Sequence, residues 1–445
     1  MVLVGLVACS PDARPVLAPP AAVVEVASFP AMPSRSLDLL LQIDDSGGTA
    51  ELQASLGAAI PVLLDSLSRI EGGLPDLHLG VVTSDLGTIG SSSPDPAPPV
   101  GQVGQGGCAG AGRDGALLTS GASITDVYLI DEADGIGGRR RNYQGALDPT
   151  IGQMLAIGST GCGFEQPLAA TRRALTRPDH AGFLRPEASL AIVLVADEDD
   201  CSVRDPELFT ADENVLGPLQ SFRCTRHGLS CLQPLDQVGA KTDCSPREDS
   251  PFIEGIEPFE ELLRSLKPRR EQLVLAGIFG DPSPVSVELR TMNGIPGLAL
   301  AHSCTYGRVG AMQVADPAVR MGALVDRALS RGVRTTVCET DLSPNLRQIG
   351  MAIKRSMGVA CIDTSKLADS LDDPGIQPVC EVHNLDRSDL ATVISSCPSE
   401  GSCYELRADP QACPETADHM RVVVTRDQPP SPGTRVDVRC ELASP

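Results

Sequence analysis

Asp44 and Ser46 stand two apart in the run Leu37-Asp38-Leu39-Leu40-Leu41-Gln42-Ile43-Asp44-Asp45-Ser46-Gly47-Gly48, where an apolar segment of strand length stops in carboxylate and hydroxyl oxygens followed by two glycines. A second apolar segment, Leu190-Ala191-Ile192-Val193-Leu194-Val195-Ala196, stops the same way in Asp197-Glu198-Asp199-Asp200. Oxygen donors suit a hard cation such as Mg2+ or Ca2+. Asp44, Ser46 and Asp197 offer a carboxylate, a hydroxyl and a second carboxylate, with Asp45, Glu198 and Asp199 behind them as acceptors around an ion; Asp199 and Asp200 also read as a solvated loop before Cys201. Without a cation, carboxylates clustered at adjacent strand ends raise one another's pKa values by repulsion, and a bound cation relieves it. A second reading of the first loop is structural, because Asp and Ser also accept hydrogen bonds from the free N–H groups that open a helix.

For any of this chemistry, the two acidic ends must lie on the same edge of one sheet. Unbroken apolar runs bounded by turn residues read as strands covered on both faces, the pattern of a parallel sheet. At the carboxyl edge of an open α/β sheet the loops diverge and leave a crevice for ligands. Residues 49–70 carry Leu52, Leu56, Ile60, Leu63, Leu64 and Leu67 at helical spacing, so a strand, an acidic loop and an amphipathic helix follow one another. Runs 78–85 and 272–279 read as further strands and 124–131 as a short one, with 142–158 as helix or loop. Helices are expected over 165–176, 256–266, 318–330 and 343–357.

The Asp44-x-Ser46-x-Gly48 loop resembles the metal-ion-dependent adhesion site of von Willebrand factor A domains, whose pattern is Asp-x-Ser-x-Ser; Gly48 stands where the last serine is expected. His78-Leu79-Gly80-Val81-Val82-Thr83-Ser84-Asp85 resembles the second strand of such a domain, 190–197 the fourth, and Asp197 its distal aspartate. The resemblance spans roughly residues 37–357 and points to the cysteine-rich A-domain lipoproteins of myxobacteria and their relatives. It implies an α/β fold with a doubly wound, mostly parallel, Rossmann-like sheet. It also implies a metal on Asp44, Ser46 and Asp197, with a threonine of a Gly-Thr loop as a further ligand. Thr160 in Gly158-Ser159-Thr160-Gly161 is the nearest match, and Glu165 is the alternative. In that family an open coordination position takes a carboxylate from a protein partner.

The formal charge of −22, from 36 Lys and Arg against 58 Asp and Glu, argues against nucleic acid, whose phosphates require clustered basic residues. Arg139-Arg140-Arg141 reads as a solvated loop tip. With no Trp and 3% aromatic residues, the core must be built from Leu, Val, Ala and Ile. No enzyme is expected: the chain has no Gly-x-Ser-x-Gly elbow, His-Glu-x-x-His pair or Gly-Lys-Ser phosphate loop. Asp44 and Asp197 could serve as a glycosidase pair, but four tyrosines and no tryptophan leave few faces on which a sugar ring could stack.

Fifteen cysteines without a Cys-x-x-Cys pattern point to disulfides and an oxidising compartment. Cys9 after Leu6-Val7-Ala8 resembles a bacterial lipobox, and its lipidation would leave fourteen cysteines to pair. The chain then divides into a signal remnant over 1–9, a Pro/Ala-rich tether over 10–36, and the α/β domain over 37–357, with insertions at about 86–122, 201–250 and 280–316. Residues 358–445 read as a small disulfide-rich β module, whose cysteines at 361, 380, 397, 403, 413 and 440 suffice for three bridges. These features predict a lipid-anchored protein of a bacterial cell envelope, on the outer membrane or its periplasmic face, that touches the membrane through its lipid alone. The expected role is adhesion or binding of a protein or cell-surface ligand. The alternative is a structural envelope lipoprotein with a vestigial metal loop.

Overall fold

The computed structural model describes residues 23–443 other than 71, 94, 268–269, 293–294, 309–310, 329–331, 366, 370–377, 415 and 432. Cys9 and residues 10–22 of the expected tether lie outside the described residues.

The first elements in chain order are β1 (Val23–Pro30), β2 (Ser36–Ile43), α1 (Ala50–Ser68), β3 (Asp76–Thr83), β4 (Leu129–Ala133), β5 (Arg139–Arg141), α2 (Leu147–Leu155), α3 (Pro167–Thr176) and β6 (Ser189–Val195). One seven-stranded sheet has the order Gly332–Thr336, Leu273–Phe279, β6, β2, β3, β4, β5. Its first five strands run parallel, and β4 and β5 add antiparallel at the edge.

The central strand β2 is apolar along its length because both its faces are covered. Leu39, Leu41 and Ile43 pack with Leu52, Leu56 and Ile60 of α1 and with Ile349 and Ile353 of the helix Ser343–Ser356. On the opposite face Leu40 and Ile192 meet Leu168 of α3, Phe259 of the helix Glu257–Leu266 and Met321 of the helix Val319–Arg327. Asp44 follows β2 and Asp197 follows β6, and these two strands are hydrogen-bonded neighbours, so both acidic ends share one edge of the sheet.

Two expectations are corrected, for the arginine run and for the strand read over 124–131. Arg139, Arg140 and Arg141 form an edge strand instead of a solvated loop tip: Arg139 and Arg141 pair with Asp131, and Arg140 pairs with Glu132, across β4. Opposite charges facing each other on neighbouring strands stabilise the pairing. The strand read over 124–131 begins at Leu129 instead, with Ile124 in an isolated bridge to Tyr143. The 280–316 insertion carries regular structure: Val285–Met292 pairs with Ile295–Leu300 and Gly239–Lys241, and Cys304–Arg308 forms a hairpin with Ala311–Ala315. A disulfide from Cys304 to Cys338 ties that hairpin to the end of the Gly332–Thr336 strand.

The 201–250 insertion holds bridges Cys201–Cys224 and Cys231–Cys244. Phe164, Val203, Leu208, Phe209 and Ile253 gather with Cys201, Cys224 and the Cys108–Cys162 bridge into a satellite core. Strands between Ala360 and Glu441 form, together with β1, a second seven-stranded sheet held by Cys361–Cys413, Cys380–Cys440 and Cys397–Cys403. Its cysteines pair among themselves, as their count suggested.

The tether is corrected too. Its residues 23–30 are strand β1, which pairs antiparallel with Arg435–Glu441 and buries Ala27 and Phe29 beside Val436 and Val438. The α/β domain is therefore inserted between the first strand of the module and the rest of it. The module docks through the helix Ser343–Ser356, where the buried Lys354 donates its ammonium to the Ala412 carbonyl at 2.7 Å. Among the described residues no helix is long and apolar enough to cross a membrane.

Candidate metal centre

Asp44 leaves β2 with its own N–H bonded to the Val195 carbonyl of β6 at 2.9 Å, so the two strand ends are locked in register where the acids emerge. Its Oδ1 accepts from the Ser46 N–H at 2.7 Å and from the Ser84 hydroxyl at 3.3 Å. Its Oδ2 is buried and has no partner. Gln53, in the first turns of α1, donates to the carbonyls of Asp44 at 3.0 Å and Gly158 at 2.6 Å, and so ties the first acidic loop to the loop that leads to Glu165. The cap reading of the Asp44 loop fails, since no side chain caps α1; Asp44 bonds within its own loop.

Asp44, Glu165 and Asp197 each bring one oxygen within 4.8 Å of the others. All three are buried, Asp44 fully, Glu165 at 2% exposure and Asp197 at 7%. Both Glu165 carboxylate oxygens lack partners. Burial, followed by the charge of Asp44, pushes Glu165 well above the usual carboxylate range, and the same two causes act on Asp197. A carboxylate removed from water without a counter-charge is costly. Three converging carboxylates, with Asp44 Oδ2 and both Glu165 oxygens orphaned, therefore fit a hard divalent cation, whose charge would replace the lost hydration. Ser46, at 6% exposure, lines the same cleft as Glu165 and Asp197.

Of the residues singled out in the sequence, Asp44 and Asp197 come together as expected, and Ser46 sits beside them. Thr160 is exposed, and the residue its loop delivers to the carboxylates is Glu165, immediately before α3. Asp45 lies just behind, one of its oxygens unpartnered, and burial beside Asp44 and Asp85 pushes it up to about 8. Glu198 forms part of the cleft wall, pushed up to about 8 by burial and by Asp316 and Asp44.

Asp199 and Asp200 are not a solvated loop, since both carboxylates are held by protein donors. Asp199 accepts from the N–H groups of Arg320 at 2.8 Å and Met321 at 3.2 Å, near the start of the helix Val319–Arg327. There the helix dipole favours a negative charge. Asp200 pairs with the buried Arg320 at 2.9 Å and accepts from Leu168 N at 3.0 Å.

The absent serine at position 48 has a local reason. Gly48 has φ +115, a left-handed conformation that side chains rarely adopt, and a Cβ there would lie 2.8 Å from Gln313 Oε1. Gln313 belongs to the Cys304–Arg308/Ala311–Ala315 hairpin, which covers this end of the site. The buried Tyr306 of the same hairpin donates its hydroxyl to Asp197 Oδ2 at 2.6 Å. Neither residue was marked in the sequence, because both come from a distant insertion with no local metal-site pattern. Tyr306→Phe is expected to weaken Mg2+ binding by roughly tenfold, since partners that orient a ligand tune affinity on that scale. Titration calorimetry of the oxidised protein measures it, and an unchanged affinity would remove Tyr306 from the site.

No family model matches the chain, and no curated protein sequence matches it. Among solved structures it is similar to a von Willebrand factor type A protein from Catenulispora acidiphila, with TM-score 0.31 and 11% identity, covering 95% of this chain. It is also similar to a pilus adhesin from Streptococcus pneumoniae, with TM-score 0.29 and 9% identity over 95% of this chain. A third similarity is to a pilus adhesin from Lactobacillus rhamnosus GG in an open conformation, with TM-score 0.33 and 9% identity over 92% of this chain. The chain spans 65%, 58% and 39% of those three chains respectively.

Proposed function

We propose that this chain is a protein-binding module of the adhesion type, with an α/β domain of the von Willebrand factor A kind that binds its ligand at a divalent-cation site on the carboxyl edge of the sheet. One observation carries the reading: buried Asp44, Glu165 and Asp197 converge within 4.8 Å of one another, with Asp44 Oδ2 and both Glu165 oxygens unpartnered, and Glu165 and Asp197 line a cleft. Asp44 and Asp197 come from adjacent strand ends and Glu165 from the loop that enters α3. Ser46 supplies a hydroxyl in the same cleft. The role is binding and not catalysis; the groups at the site are oxygen donors suited to holding an ion.

Seven disulfides support residence in an oxidising compartment, which in this reading is a bacterial cell envelope with Cys9 as the lipid attachment point. The acidic surface suits a protein or cell-surface ligand and disfavours nucleic acid.

Calorimetric titration of Mg2+ and Ca2+ into the chelator-treated, oxidised protein tests the reading, with Asp44→Ala as control. Saturable binding with one ion per chain, lost in Asp44→Ala, is the expected result. An absence of binding up to millimolar metal would leave a structural protein whose acidic loop is vestigial.

A further inference from the structure

The cleft lined by Ser46, Glu165, Asp197 and Glu198 has a volume of about 210 Å³, enough for one long side chain but not for a folded surface. Its charge is unbalanced. A divalent ion on three carboxylates leaves one negative charge uncompensated, and Glu198 in the cleft wall has a hydroxyl, from Ser221, as its side-chain hydrogen-bond partner. The basic groups that also reach the cleft are already engaged. Arg290 bonds Glu288 at 2.8 Å and the Leu300 carbonyl at 2.6 Å. Arg320 is 1% exposed and holds Asp200 and the Glu254 carbonyl. His302 Nδ1 is 2.6 Å from Asp316.

An acidic side chain entering here would meet a metal whose charge Asp44, Glu165 and Asp197 already exceed and, among the described residues that line the cleft, no cation without a partner of its own. We infer that the cleft takes a basic side chain of a partner protein, a lysine ammonium or an arginine guanidinium, held between Glu198 and the carboxylates around the ion. This inverts what the family resemblance implied, and the inversion is carried by Glu165, which brings a charge to a position where a neutral hydroxyl was expected. The apolar stem of such a side chain has a counterpart in Val314, which lines the cleft at 41% exposure, beside the exposed Met312. The formal charge of −22 would steer a basic partner toward the chain.

The inference rests on the proposed binding role of this edge, and its test separates the two. The oxidised full-length chain, saturated with Mg2+, is titrated with four capped pentapeptides of sequence Gly-Gly-X-Gly-Gly, in which X is lysine, arginine, aspartate or norleucine. The lysine or arginine peptide is expected to bind about tenfold more tightly than the norleucine peptide. That advantage should shrink at 0.5 M salt, roughly three to four times the physiological ionic strength, and should fall in Glu198→Gln, whose fold is checked by circular dichroism. Tighter binding of the aspartate peptide would overturn the inference, as would equal binding of all four or no binding of any. The metal titration on the same preparation reads the other question independently: a saturable ion with no basic preference sinks the inference alone, whereas no ion sinks the proposed metal site.

Discussion

Replacing Glu165 with Gln is expected to have two opposite effects: loss of measurable Mg2+ and Ca2+ binding below millimolar concentration, and a higher melting temperature for the metal-free protein. The first follows from removing one of three charged ligands. The second follows because Glu165 is buried, unpartnered and next to Asp44 and Asp197, so in the absence of an ion its charge opposes folding. Glutamine keeps the shape and removes that charge, and a gain of a few degrees is expected on the scale of about 1 kcal/mol.

The pH dependence carries the same sign. Glu165, Asp197, Asp45 and Glu198 all have folded pKa values raised by burial and then by neighbouring carboxylates, Asp44 among them in each case, the last two to about 8, against ordinary values of 3.8 for Asp and 4.5 for Glu. For a raised group the folded state binds more protons than the unfolded one. Its contribution to stability is therefore complete below the unfolded value and is lost as pH rises through the folded one. In chelator the protein should accordingly lose stability between about pH 5 and 8, with saturating Mg2+ flattening the slope and Glu165→Gln reducing it. Thermal melts in EDTA across that range are the measurement. Stability that rises with pH in chelator would mean that these carboxylates are already compensated without an ion.

Arg320→Met is expected to cost about 3–5 kcal/mol in urea unfolding, the usual effect of removing one member of a buried pair. Arg320 bonds Asp200 through two nitrogens, at 3.2 and 2.9 Å, and also the carbonyls of Gly228 and Glu254. Without it a fully buried carboxylate and two carbonyls lose their donor. A double change of Arg320→Met with Asp200→Asn should recover part of the loss, because most of the cost is the stranded charge. If the single variant proves as stable as the parent, water must reach Asp200. The pair also determines how the strand end is held: Asp199 and Asp200 fasten the loop after β6 to the helix Val319–Arg327. Asp197 is thus presented by a segment anchored two and three residues further on.

The contrast between Asp197 and its neighbours shows what the sequence makes legible. An acid at the end of an unbroken apolar strand is recognisable because strand and acid are contiguous, and β2, β3, β6 and Leu273–Phe279 were all readable on that basis. The helices Glu257–Leu266 and Ser343–Ser356 were readable from their spacing. Asp199 and Asp200 were misread because their partner, Arg320, lies more than a hundred residues away and nothing local distinguishes a paired aspartate from a solvated one. Glu165 was visible as an alternative, but whether it or Thr160 reaches the ion depends on the path of a loop fixed by the Gln53–Gly158 bond and the Cys108–Cys162 bridge. Strand Gly332–Thr336 is short and polar, and only its pairing with Leu273–Phe279 makes it a strand. Tyr306 and Gln313 reach the site through tertiary contacts that no spacing rule describes.

Strand β1 lies antiparallel against Arg435–Glu441, with Val23 opposite Glu441 and Pro30 opposite Arg435, and the chain then passes directly to β2. The strand that receives β1 is also bridged to the next strand of its sheet by Cys380–Cys440. Since β1 and the strands that follow the helix Ser343–Ser356 belong to one sheet, the α/β domain is tied to the module at both of its ends, and the module cannot complete its sheet until the whole α/β domain has been threaded between its first strand and its last.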